Sequence, residues 1–195
     1  MGLLGGTFDP VHTGHLLIAE VARHTLSLDQ VVFIPAGDPP HKGGTVTPSE
    51  HRYAMTLLAT ASNEAFVVSR RELERPGPSY SLTTIQEYRG EIGEEGELFF
   101  IAGMDAVLEI RTWYRWEEVL RECRFAALGR PGFEMSAFLP ELPEELRGRI
   151  DLLSAPALDV SSTDIRERVG HGEPIRYLVP EPVEVYIRKH GLYVS

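Results

Sequence analysis

The sequence predicts an α/β protein of three layers, with helices on both sides of a mostly parallel central sheet. Short apolar, β-branched runs bounded by glycine and proline alternate along the chain with stretches of helical periodicity. The first two runs are separated by one helix, at the spacing of a right-handed parallel crossover.

Gly2 to Gly5 reads as the first buried strand. Gly5-Gly6 then lets the backbone turn sharply and leaves N–H groups free to face a ligand. Leu16, Leu17, Ala19, Val21, Ala22 and Leu26 fit a helix with Thr13 as its N-cap. His15 falls in that helix's first turn, where the dipole favours an anion. His12 lies three residues earlier, so both imidazoles can reach one phosphate group. Taken singly, a loop histidine is as readily structural, and Gly-Gly after a strand is common in α/β proteins. Neither G-x-G-x-x-G nor G-x-x-x-x-G-K-[ST] occurs, which argues against a hydride-transfer fold and a P-loop NTPase.

Gln30 to Pro35 reads as the second strand, followed by a long loop, Ala36 to Gly44, that contains Pro39-Pro40-His41-Lys42. Loops leaving the carboxyl ends of parallel strands are where open α/β sheets bind ligands, which puts His41 and Lys42 on the same rim as His12 and His15. Pro48 to Ala59 is a second helix, with His51 and Arg52 in its first turns, where basic residues do not help the dipole. Ala65 to Ser69 is a short strand, and Arg70 to Pro78 a charged loop. Ser79 to Tyr88 resumes helix, with Ser79, Ser81 and Thr83 at its start as capping candidates.

After an acidic turn between Gly90 and Gly96, Leu98 to Ala102 is the most apolar strand and so the central one. It ends in Gly103-Met104-Asp105, where a carboxylate can accept a sugar hydroxyl, orient hydrated magnesium or cap the next helix. Thr112 to Leu120 holds both tryptophans, with Trp116, Val119 and Leu120 as core. Cys123 to Leu128 is the fifth strand, Gly129 to Phe133 a turn, Glu141 to Arg149 a charged helix and Ile150 to Leu153 a sixth strand. A last helix, Glu184 to Lys189, stops at Gly191. Between these lies Val160-Ser161-Ser162-Thr163-Asp164-Ile165-Arg166. Ser161 with Asp164 has the spacing of a capping box. Capping does not explain Ser162-Thr163 with Arg166 one turn later, a set that places two hydroxyls, free N–H groups and a guanidinium at one helix end.

The chain's 195 residues are enough for one domain with a full core, residues 1–195, with a helical C-terminal portion from about 161. Asp and Glu outnumber Lys and Arg by 29 to 19, a formal charge of -10. That balance argues against a general nucleic-acid or anionic-membrane surface, while leaving room for a local phosphate pocket. The single cysteine, Cys123, excludes an intrachain disulfide framework and reads as a buried small residue in a reducing, cytoplasmic setting. No run approaches the roughly 18 apolar residues of a membrane span, and the N-terminus lacks signal-peptide character.

The run Gly5-Gly6-Thr7-Phe8-Asp9-Pro10-Val11-His12-Thr13-Gly14-His15 resembles the G-[ST]-F-D-P-x-H-x-G-H signature of the HxGH nucleotidyltransferases, and Val160 to Arg166 resembles their I-S-S-T-x-x-R motif. Within that superfamily the whole chain resembles the bacterial nicotinate-nucleotide adenylyltransferases, which implies a Rossmann-like fold of nucleotidyltransferase type. The implied reaction joins ATP to nicotinate mononucleotide, giving deamido-NAD and pyrophosphate in NAD biosynthesis. The resemblance implies ATP contacts at Gly5, Gly6, Thr7, Phe8, His12, His15, Gly103, Asp105, Ser162, Thr163 and Arg166, with His12, His15 and Arg166 catalytic. It implies acceptor contacts at His41, Lys42, Thr83, Trp113 and Tyr114, with Trp113 stacking on the pyridine ring. Mg2+ is expected with the ATP phosphates and not at a protein metal site. ATP and the mononucleotide are the expected partners, a homo-oligomer is left open, and no nucleic acid or membrane is expected.

The residue chemistry agrees with such a reaction. No nucleophile–base–orienter set, zinc-ligand spacing or paired carboxylates on one helix face occur. The attacking phosphate is already ionised near neutral pH, since its second pKa is about 6, so no general base is needed. What is needed is alignment and neutralisation of charge on the phosphoryl oxygens. Pantetheine-phosphate adenylyltransferases generally carry Thr where this chain has His12; they, a nicotinamide-mononucleotide enzyme and an inactive nucleotide-binding regulatory module are the alternatives.

Overall fold

The computed structural model describes residues 1–39, 47–93, 95–129, 140 and 142–194. Among these, six parallel strands form one sheet: β1 (Gly2–Gly6), β2 (Val31–Pro35), β3 (Phe66–Val68), β4 (Phe99–Gly103), β5 (Arg124–Gly129) and β6 (Ile150–Ser154). Their order is β3-β2-β1-β4-β5-β6. The order reverses between β1 and β4, so the crevice at their carboxyl ends is the switch point where such sheets take ligands. Gly6 and Gly103 end those two strands, as the two glycine turns in the sequence require.

Alternation along the strands gives each face its own core. Leu3, Val32, Phe100, Phe125 and Ala127 pack on one side against α4 (Ser81–Ile92), α5 (Met104–Leu108), α6 (Trp116–Glu122) and α7 (Glu144–Arg147). Leu4, Val31, Phe33, Phe99, Ile101 and Ala126 pack on the other. There they meet α1 (Thr13–Thr25), α2 (Ser49–Thr60), α8 (Ser162–Gly170) and α9 (Glu181–His190). Both faces of β4 are buried, which accounts for its unbroken apolar sequence.

Several local readings change. The charged segment after β3 contains one helical turn, α3 (Arg71–Glu74), too short to show a period and held because Glu72 is buried beneath it. α4 starts at Ser81, not Ser79, because the Ser79 hydroxyl is occupied accepting from the N–H groups of Gly37 and Asp38. Cys123 ends α6 instead of opening β5; its thiol is buried, donates to the Val119 carbonyl and has its pKa pushed up by desolvation to about 12. Among the described residues no helix is long and apolar enough to cross a membrane.

Candidate active site

The N-cap of α1 is His12, not Thr13. Thr13 is drawn elsewhere, since its N–H and its hydroxyl both donate to the Leu178 carbonyl at 2.9 Å. The His12 N–H donates to His15 Nδ1 at 3.2 Å. An accepting Nδ1 places the neutral ring's proton on Nε2, so His15 presents an N–H donor on its other edge. His12 is 8% exposed, and burial lowers its pKa to about 4. Its Nδ1 is buried without a hydrogen-bond partner. A Cβ at Gly14 would sit 3.0 Å from that atom, so the signature's glycine makes the room the ring occupies.

α8 is capped by Ser161, whose hydroxyl accepts from the Asp164 N–H at 3.1 Å. The return bond of the capping box is not made, because the Asp164 carboxylate pairs with Arg168. Ser162 donates to the Pro10 carbonyl (2.9 Å). Arg166 donates to the Asp9 carbonyl (2.7 Å) and to the Thr163 hydroxyl (3.2 Å). The two motifs, separated by most of the chain, therefore meet through backbone oxygens of the signature turn.

Two cavities open at the carboxyl edge of β1 and β4. One is lined by His12, Gly14, His15, Gly103, Asp105 and Val160, among others. The second is lined by Gly6, Thr7, Pro39, Glu72, Ser81, Thr84, Tyr80 and Tyr114. Gly5, Phe100 and Trp113 line both. Phe100 meets Trp113 edge to face at 5.5 Å, so the pair is a shared aromatic wall. Gly103 is the N-cap of α5 and no side chain caps that helix; the exposed Asp105, in its first turn, lines the first cavity.

Of the residues expected to contact ATP, Gly5, His12, His15, Gly103 and Asp105 line the first cavity, whereas Gly6 and Thr7 line the second. Phe8 is buried against Phe33 and the edge of His15 and lines neither cavity. Ser162, Thr163 and Arg166 flank the turn without lining either cavity. Of the acceptor residues, Trp113 and Tyr114 line the second cavity, with Tyr114 stacked on Tyr80 at 4.5 Å. Thr83 is exposed, and it is Ser81, Leu82 and Thr84 that face the cavity. His41, Lys42, Glu94 and the turn 130–133 lie outside the described residues.

Sequence reading missed Tyr80, Thr84 and Glu72. Glu72 accepts from the Thr84 hydroxyl (2.6 Å), which itself accepts from Arg75 (2.7 Å), and burial raises the Glu72 pKa. The Ser-Tyr-Ser run at the helix start was the available signal for Tyr80; nothing local marks the other two.

Residues 3–168 match the Cytidylyltransferase-like family. A "Probable nicotinate-nucleotide adenylyltransferase" of Moorella thermoacetica is 54% identical over 99% of this chain and 91% of that protein. One of Thermus thermophilus, under the same name, is 47% identical over 99% and 98%. Among solved structures, a Plasmodium falciparum nicotinic acid mononucleotide adenylyltransferase complexed with NaAD superposes with a TM-score of 0.77 over 98% of this chain and 96% of that one. Its identity is 18%, so that likeness is one of fold.

Proposed function

The chain belongs to the Cytidylyltransferase-like family and, within it, to the bacterial-type nicotinate-nucleotide adenylyltransferases of the HxGH superfamily, and from that premise we propose how it transfers the adenylyl group of ATP to nicotinate mononucleotide. The products are deamido-NAD and pyrophosphate. The observation that carries the reading is the pair of cavities sharing Gly5, Phe100 and Trp113. Two substrates seated on either side of that wall meet at the carboxyl end of β1, beside the signature turn.

ATP occupies the cavity of His12, His15 and Asp105, and the pyridine mononucleotide the aromatic one. The acceptor phosphate attacks the α-phosphorus directly, without a covalent enzyme intermediate, and pyrophosphate leaves. His15 Nε2–H and His12 stabilise charge on the phosphoryl oxygens. Thr163 and Arg166, at the head of α8, hold the outer phosphates, with Arg166 using donors left over from its bonds to Asp9 and Thr163. Lys42 and His41 serve the acceptor phosphate, and Trp113 and Tyr114 the ring.

Among the described residues no group of three or more His, Cys, Asp or Glu could hold a metal by itself. Asp105 is a single exposed carboxylate on the nucleotide cavity, a donor set that fits Mg2+ entering with the triphosphate and held mainly by it. The ion supplies charge neutralisation on the leaving pyrophosphate.

The test is pyrophosphate release from ATP with nicotinate mononucleotide, nicotinamide mononucleotide and phosphopantetheine as separate acceptors. Release with the first, and a dinucleotide product, is expected. Release with phosphopantetheine alone would replace this reading.

A further inference from the structure

The proposed reaction leaves the most deeply buried cation among the described residues without a task. Arg52, in the first turn of α2, is 1% exposed, and its donors go to backbone carbonyls instead of a carboxylate. Nε donates to Thr47 (2.8 Å), Nη1 to Thr7 (2.8 Å) and Nη2 to Gly37 (3.3 Å). These carbonyls belong to three segments: the signature turn after β1, the stretch leaving β2 and the stretch entering α2, two residues ahead of its start.

Each of the three is also held from another side. The Thr47 N–H donates to Asp9 Oδ2 (3.2 Å), and Asp9 Oδ1 accepts from the Tyr193 hydroxyl (2.7 Å). The Gly37 N–H donates to Ser79 (2.9 Å), and a Cβ at Gly37 would lie 2.0 Å from the Glu72 carbonyl oxygen, so that backbone is pressed directly against α3. The signature turn is gripped twice, by Arg52 at the Thr7 carbonyl and by Arg166 at the Asp9 carbonyl (2.7 Å). An apolar side chain could fill the volume of Arg52 without the cost of burying a charge. It could not fix three carbonyls relative to one another.

Thr7, Ala36 and Pro39 line the aromatic cavity, while the same turn continues into His12 and His15. We propose that Arg52 is a positioning residue for the transfer, holding the acceptor-side wall and the histidine-bearing turn at one spacing, with Tyr193 and Asp9 bracing the same frame. The inference rests on the adenylyl-transfer reading. A small error in that spacing leaves each substrate able to bind but misaligns attacker and phosphorus, so the loss falls on kcat.

The experiment is steady-state kinetics with ATP and nicotinate mononucleotide on Arg52→Lys and Tyr193→Phe, with thermal melts alongside. Lysine offers one ammonium where the guanidinium serves three carbonyls in a plane. For Arg52→Lys, kcat is expected to fall about 10- to 100-fold with both KM values within about threefold. Tyr193→Phe keeps the ring and removes only the hydroxyl donor; a smaller fall in kcat, about 3- to 10-fold, is expected. A lowered melting temperature with kcat unchanged, or a change confined to KM, overturns the proposal. Should Arg52→Lys fail to fold, Tyr193→Phe decides: full turnover overturns the proposal and slowed turnover supports it. A wild-type protein inactive with this acceptor would remove the functional reading itself, whereas an active wild type with full-rate variants removes only the role of Arg52.

Discussion

His12 and His15 stack their imidazoles with centroids 3.7 Å apart and planes inclined by 30°. Two rings that close resist carrying two positive charges together, and the buried one, His12, is held neutral. The two stacked rings therefore differ in their surroundings: His12 is buried, and His15 is half-buried where it lines the same cavity.

His15→Ala should lower kcat by about 10²- to 10³-fold, the scale of losing one preorganised donor, with a small change in the KM for ATP. A donor aimed at developing charge matters more in the transition state than in the ground state. Single-turnover rates at saturating substrates check this; an unchanged rate removes His15 from the chemistry.

The depressed pKa of His12 gives a pH dependence of definite sign. In the unfolded chain its pKa is near 6.5, and in the folded protein about 4. Above pH 6.5 the ring is neutral in both states and the stability is fully present. As pH falls from 6.5 towards 4 the unfolded chain takes up a proton that the native site refuses, and stability is lost by up to roughly 3 kcal/mol. Denaturant midpoints at pH 7 and 4.5 should therefore converge for His12→Gln relative to wild type. Identical pH slopes in the two proteins would refute the assignment. Phosphate beside the ring reverses the balance, so nucleotide binding near pH 5.5 should take up protons, readable by calorimetry in buffers of different ionisation heat.

Arg166→Lys should weaken ATP by about tenfold or more despite the conserved charge. Two of the guanidinium donors are committed to Asp9 and Thr163, and a lysine that keeps the turn tied has no planar pair left for a phosphate. Calorimetric titration with ATP checks it; equal affinities would leave Arg166 as a tie between α8 and the signature turn.

The strands and the two motifs were legible because each is a local pattern: an apolar run, a glycine turn, hydroxyls ahead of a helix. What was not legible is set by partners distant in sequence. Arg52 looks misplaced at a helix start until Thr7 and Gly37 supply its carbonyls. Glu72 reads as solvated charge until Thr84 and Arg75 surround it. Histidine is not among the usual N-caps, and threonine is; only the Leu178 carbonyl, brought in from the connection between α8 and α9, decides between them. Thr83 and Thr84 differ by one position on α4, and which of them turns inward depends on where the helix starts, a boundary that Ser79 shifts by bonding Gly37.

The acceptor should be the nicotinate form in preference to nicotinamide. Trp113, Tyr80 and Tyr114 give the cavity flat faces for a pyridinium ring, and those faces serve acid and amide alike. Discrimination must come from the substituent. The Thr84 hydroxyl is already spent, donating to Glu72 and accepting from Arg75. α4 has no side-chain cap on its first turn, so the backbone N–H groups there are the donors that remain for a ligand beside Ser81 and Leu82. A carboxylate accepts charge-assisted bonds from two such N–H groups, whereas an amide offers one acceptor and turns an NH₂ donor towards a donor. Leaving that donor unpaired costs roughly 1–3 kcal/mol, about 5- to 150-fold, and loss of charge assistance widens the gap. Buried Glu72 works the other way if ionised, but its burial favours the neutral form and Arg75 lies 3.6 Å from it. The preference should therefore survive at neutral pH as a difference in kcat/KM of at least fivefold, measured with ATP and magnesium saturating. Equal values for the two acceptors would reject the α4 assignment, and Trp113→Ala should raise KM for both acceptors together without changing their ratio.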